Sequence, residues 1–165
     1  MCSSDLLSII KKILIELNIS EKLLTPRSAL DKISRAKDQL INCNDYPDGD
    51  FFNSKVAEVY KKYDDTLRQS GVVDFGDLIS LTIKLFKSSP ETLDYYQNRF
   101  RYIMVDEYQD TNHAQYQFIQ LLAAKHGNIA VVGDPDQSIY AWRGADISNI
   151  LEFERDFQGA KIIKL

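Results

Sequence analysis

The chain has 165 residues, of which 44% are hydrophobic and 27% charged, with a formal net charge of −4. These proportions suit a globular chain of one ordinary domain, or of two small layers sharing a boundary. They argue against a low-complexity tail and against binding that rests on an overall basic surface.

No apolar run approaches the ~20 residues needed to span a bilayer, so no membrane partner is expected. Met1 to Ile10 lacks a basic stretch ahead of its apolar residues, which argues against a secretory leader. Cys2 and Cys43 have no CxxC spacing and only two histidines accompany them. No zinc site is expected, and a reducing, cytoplasmic location is.

Leu6, Ile9, Ile10, Ile13, Leu14 and Leu17 recur at three- and four-residue spacing and predict a first helix with one apolar stripe. Thr25-Pro26 reads as a cap followed by proline at the first helical position. Leu30, Ile33, Ala36 and Leu40 continue that second helix. Residues 42–50 are turn formers throughout and break the pattern. A third helix carries Phe52, Val56, Val59, Tyr60, Tyr63 and Leu67 on one face and closes near Gly71. The stretch 72–79 opens a fourth helix capped by Asp74, and Ser89-Pro90 opens a short fifth. The aromatics Tyr60, Tyr63, Tyr95, Tyr96 and Phe100 are expected to pack this helical layer.

From Arg101 the rhythm changes to strand, helix, strand, helix, strand. Strands are expected near 102–105, 129–132 and 161–165, and helices near 113–126 and 147–157. This alternation predicts a parallel sheet with crossover helices. The fold class is therefore α/β: a mostly helical layer over 1–99, then a partial parallel sheet of about three strands over 100–165.

Two segments carry chemistry. Tyr102-Ile103-Met104-Val105 is an apolar strand that ends abruptly in Asp106-Glu107, followed by Tyr108-Gln109-Asp110. Adjacent carboxylates at the end of a buried parallel strand suit a nucleotide hydrolase, in which one holds Mg²⁺ and the next orients a water at the γ-phosphate. Ile129-Ala130-Val131-Val132-Gly133-Asp134 repeats the plan and leads into Pro135-Asp136-Gln137 and then Tyr140-Ala141-Trp142-Arg143-Gly144. Gln137 is an amide able to donate to a phosphate oxygen, or an ordinary turn amide. Trp142, the single tryptophan, lies between small residues in a polar loop, where an aromatic face can stack on unpaired bases. A buried structural tryptophan is the alternative.

Together VDEYQDTN and VVGDPDQSIYAWRGA resemble motifs II and III of superfamily 1 DNA helicases of the UvrD/Rep/PcrA type. The resemblance is most specific over 102–150, weaker at 72–79, and only a matter of pattern before residue 40. It implies a helical insertion domain (1B) that leads back into a RecA-like ATPase domain (1A). It implies that Asp106 holds Mg²⁺ through water, that Glu107 activates the attacking water, and that Gln137 senses the γ-phosphate. By the same resemblance Trp142 stacks on single-stranded DNA, with Tyr140 beside it and Arg143 near both the nucleotide and Glu107. ATP, Mg²⁺, single-stranded and partly duplex DNA and the remaining helicase domains are the implied cofactors and partners. Gln109 and Asp110 are expected to support the acid pair, with a helix-cap role for Asp110 and Thr111 as the alternative. His113 and His126 are expected at the surface or at a helix end. Lys32, Arg35 and Lys37 are expected on a solvated face, with contact to duplex DNA as the alternative.

None of the seven glycines is followed by lysine, so the phosphate-cradling GxxxxGK[ST] loop is not in this sequence. The chain is expected to be a helicase fragment that is inactive alone. The alternatives are a non-catalytic DNA- or protein-binding fragment, or part of a recombination helicase–nuclease subunit. With the strand that bears such a loop missing, 161–165 is expected to pair beside 129–132 or with another molecule rather than to fray.

Overall fold

The structure is a computed structural model that describes residues 3–137, 145–146, 148–151, 153–157 and 159–163. The chain divides into two compact units, Met1–Ser80 and Leu81–Leu165.

The first unit is built on α1 (Ser3–Glu16), α2 (Pro26–Asp38) and α3 (Phe51–Gln69). Thr25 accepts from the Ser28 N–H, with Pro26 at the first helical position, as the sequence predicts. Asp50 caps α3 by accepting from the Asn53 N–H. The three helices end alike. Asn18, Leu40 and Gly71 each take a left-handed backbone, φ 54°, 58° and 64°. The following amides, those of Ile19, Ile41 and Val72, reach back to Leu14, Ala36 and Leu67 at 2.9, 2.8 and 3.1 Å. That arrangement satisfies carbonyls that the helix itself leaves unpaired.

The apolar stripes of these helices meet in one core. Ile10, Ile13, Leu14, Ile33, Val56, Val59 and Leu67 are buried there, together with Tyr60 and Tyr63. Each such aliphatic side chain stabilises the unit by roughly 1.5–3 kcal/mol. Lys37 departs from expectation. It is buried at 3% exposure, among Asp64, Asp74 and Asp77, and so is neither on a solvated face nor open to duplex DNA. Its position four residues after Ile33 places it on the inward stripe of α2, where only the carboxylates make a cation tolerable. Asp74 caps α4 (Phe75–Ser88): it accepts from the Asp77 N–H at 2.9 Å, and Asp77 accepts from the Asp74 N–H in return.

In the second unit the last turns of α4 and all of α5 (Pro90–Arg99) lie against α6 (His113–Ala123). The Phe86 and Phe118 rings stack at 6.0 Å, and Gln97 Nε2 donates to the Leu121 carbonyl at 2.7 Å. The aromatics Tyr95, Tyr96 and Phe100 stay exposed, but pack in part as expected: Tyr96 lies against Phe86 of α4 at 5.6 Å, stacks on Phe100 at 6.1 Å and meets Tyr95 edge-on.

The strands β1 (Ile103–Val105) and β2 (Ile129–Val131) pair in parallel, with Ile103 opposite Ile129 and Val105 opposite Val131. α6 is the crossover between them. One sheet face is half-buried through Ile103 and Val105, while Met104 on the other is 78% exposed. The expected third strand is not seen over residues 161–163, where Ile162 and Ile163 are exposed. Among the described residues the sheet has two strands, and residues 161–163 pair with neither, so their apolar side chains find no sheet face to cover. Within the expected helix near 147–157, the described residues 148–151 (α7, Ser148–Leu151) and 153–156 (α8, Phe153–Asp156) are helical.

Candidate nucleotide-hydrolysis site

The site lies in the second unit, where β1 runs out. Pairing continues one step past the strands: Val132 N–H donates to the Val105 carbonyl at 2.8 Å, and Tyr108 N–H to the Val132 carbonyl at 3.0 Å. Between these two bonds the chain turns sharply, and Asp106 and Glu107 occupy the turn. Glu107 takes a left-handed backbone, φ 51° and ψ 41°, which costs a non-glycine residue roughly 1–2 kcal/mol. Asp106 Oδ1 accepts the Glu107 N–H at 2.9 Å and braces the turn.

Both acids are exposed and line an open hollow of about 330 Å³ with Val105, Asp110, Thr111 and Phe118 among the other walls. Asp110 contributes a third carboxylate. Its Oδ1 is buried and, among the described residues, has no hydrogen-bond partner, a polar atom left to be satisfied. Among the described residues no group of three or more His, Cys, Asp or Glu side chains is placed to hold a metal ion. A hard cation such as Mg²⁺ does not need one, since it is held by one or two carboxylates and keeps several waters. The residues present therefore fit it.

The turn 108–110 is a single 3₁₀ turn, and its Gln109 is 1% exposed. Gln109 Nε2 donates to Glu107 Oε2 at 2.7 Å, and Gln109 Oε1 accepts the Asp134 N–H at 3.1 Å. Asp134 in turn organises the next loop, a second 3₁₀ turn over Pro135–Gln137. It accepts from the Asp136 N–H at 3.0 Å and from Gln137 Nε2 at 2.7 Å. The exposed Gln137 amide thus meets Asp134 here. Tyr140, Trp142 and Arg143 lie outside the described residues.

The chain past that loop also returns to the same turn. Ala145 bridges to Asn112, Asp146 N–H donates to the Thr111 carbonyl, and buried Asn149 donates to both Thr111 oxygens at 3.0 and 3.2 Å. Phe153 packs edge-on against Tyr108 at 5.6 Å. Sequence reasoning missed Asn149, because a lone asparagine on a short helix carries no distinguishing signal. The alternative of a helix-cap role for Asp110 and Thr111 does not describe the start of α6. The cap is Asn112, reciprocated by Gln115 in a box that the N-x-x-Q spacing does encode. His113 opens α6 half-buried and His126 is exposed beyond its end.

The sequence comparisons identify the family to which the chain belongs. The family described as UvrD/REP helicase N-terminal domain matches residues 2–158. An ATP-dependent DNA helicase PcrA of Bacillus subtilis is 49% identical over 165 residues, 99% of this chain and 22% of the relative. The PcrA of a Staphylococcus epidermidis strain is 52% identical over 164 residues, again 22% of its length. That of Staphylococcus aureus strain Mu50 is 49% identical over 164 residues. The chain thus spans about a fifth of the length of the curated relatives it matches.

Proposed function

The chain belongs to the UvrD/REP helicase family, and on that premise we propose that the protein containing it is an ATP-driven DNA helicase. It moves along single-stranded DNA, 3′ to 5′, and opens partly duplex DNA during repair or replication, in the cytoplasm. The observation that carries this reading is the Asp106–Glu107 pair at the carboxyl end of a parallel strand, sharing one hollow with Asp110. In it, residues 100–165 form part of a RecA-like ATPase domain and residues 1–99 a helical insertion domain.

Each residue has a role suited to its setting. Asp106, exposed and held at one oxygen by a backbone amide, holds Mg²⁺ through water. The cation, once bound, offsets charge developing on the phosphate oxygens. Glu107 orients the attacking water and accepts its proton. Gln137 donates to the γ-phosphate in place of Asp134, and so reports whether that phosphate is present. Arg143 lies near the nucleotide, while Trp142 and Tyr140 supply aromatic faces to single-stranded DNA. The 165-residue chain alone is inactive, for want of a phosphate-cradling loop.

The test uses the full-length protein. Glu107→Gln is expected to abolish ATP turnover while nucleotide binding persists, because shape is kept and the proton acceptor is lost. Unchanged turnover would overturn the reading. Trp142→Ala is expected to weaken single-strand binding by ~1–3 kcal/mol for the base it stacks on. DNA-stimulated ATPase from purified residues 1–165, absent from a Glu107→Gln control, would refute the predicted inactivity of the isolated chain.

A further inference from the structure

We propose that Gln109 is a positioning residue for hydrolysis: one buried amide that fixes the Glu107 carboxylate and the head of the 133–137 loop in a single register. The proposal rests on Glu107 being the catalytic acid.

The geometry is unusual on three counts. Gln109 is 1% exposed although it belongs to a surface turn, and a buried amide must satisfy both of its ends. Its donor end meets Glu107 Oε2 and its acceptor end the Asp134 N–H, so the two halves of the site share one side chain. Finally, Gly133 leaves that side chain its space. A Cβ at 133 would stand 2.5 Å from Gln109 Oε1 and 2.9 Å from Ile150 Cδ1.

A glutamate on an exposed turn otherwise samples many rotamers. A donor at Oε2 selects one of them and leaves Oε1 to face a water. Because the same amide accepts from Asp134, movement of the 133–137 loop pulls on the bond that aims Glu107. Asp134 is also the partner of Gln137, so displacement of the Gln137 amide is transmitted through the Asp134 carboxylate and backbone N–H to Gln109 and on to the acid. A misplacement of about 1 Å at a reacting group can cost ~100-fold in rate.

Two variants of the full-length protein test this. Gln109→Met keeps the volume and removes both bonds. Gln109→Glu keeps an acceptor for Asp134 but sets a carboxylate against Glu107. For both, kcat for ATP is expected to fall roughly 100-fold while KM for ATP stays within about twofold and Tm within a few degrees. A kcat within threefold of the parent in whichever variant folds would overturn the proposal. So would kcat falling only in proportion to the fraction of correctly folded enzyme, measured by nucleotide-site titration. The control is Glu107→Gln. If that variant still turns over ATP, the reading of Glu107 itself has failed. If it is dead and the Gln109 variants are fast, only this inference has.

Discussion

Lys37 and Asp77, forty residues apart in sequence, meet at 2.7 Å inside the first unit, with the lysine 3% exposed. Asp74 is at 2.9 Å and Asp64 at 3.2 Å from the same ammonium, and Tyr63 donates its hydroxyl to Asp74 at 2.8 Å. Burial works against the charge on Lys37, yet the Asp77 hydrogen bond and the Asp74 charge hold its pKa above the usual lysine value. Burial likewise pushes Asp74 up, but the Lys37 charge and hydrogen bonds prevail and its pKa is lowered. Lys37→Met therefore leaves buried carboxylates facing one another, and is expected to cost about 3–5 kcal/mol by urea denaturation. A loss below about 1 kcal/mol would mean that the carboxylates reach water once the lysine is gone.

Asp38 titrates in the opposite sense. Burial, followed by the Asp74 charge, raises its pKa to about 6. The native state thus holds this proton more tightly than the unfolded chain, and its contribution to stability is full below the unfolded value of 3.8 and lost as pH rises through about 6. Asp38→Asn is expected to match the parent near pH 4 and to exceed it by on the order of 1 kcal/mol at pH 7. Denaturation midpoints across that range read the difference directly. Parallel curves would disprove it.

Tyr108 is fully buried and, among the described residues, its hydroxyl has no hydrogen-bond partner. Tyr108→Phe removes a stranded polar group while keeping the ring against Phe153. The variant is expected to be as stable as the parent or more so, by up to ~1 kcal/mol. A loss of more than that would reveal a bound water at the hydroxyl.

Gly133→Ala forces a methyl into the space of Gln109 Oε1 and Ile150 Cδ1, and within 3.2 Å of the Tyr108 nitrogen. The amide can swing away only by giving up Asp134. The variant is expected to lose about 1–3 kcal/mol of stability from overpacking and, in the full-length protein, to lose ATP turnover as well. Full turnover alongside lowered stability would show that Gln109 repacks without losing its partners.

Local signals were the legible ones. Thr25-Pro26, Asp74 and Ser89-Pro90 marked helix starts because a cap is made by residues a few positions apart. The two apolar runs that end in acids gave β1 and β2 and the position of the hollow. Lys37 was misread because its charge outweighed its spacing, although Ile33 plus four is an inward position on α2. Residues 161–163 were misread because a strand depends on a partner edge that no local pattern reports. The Gln109 bridge joins positions twenty-five residues apart, and a glutamine after two acids looks the same whether or not it spans them.

The left-handed turn at Glu107 inverts an ordinary ranking of residues. Glu107→Ala and Glu107→Gly remove the same carboxylate and the same hydrogen bond from Gln109, so only the backbone distinguishes them. At most positions the alanine variant would be the firmer fold. Here the glycine variant is expected to melt higher, by about 1 kcal/mol in stability, and calorimetry on the pair would show equal values if the turn relaxes instead. On the role proposed above for Glu107, heat resistance and turnover pull on this residue in opposite directions. A screen of carboxylate-free variants for thermal survival alone would favour glycine over alanine at 107, and would be blind to the loss of the group on which the proposed hydrolysis depends.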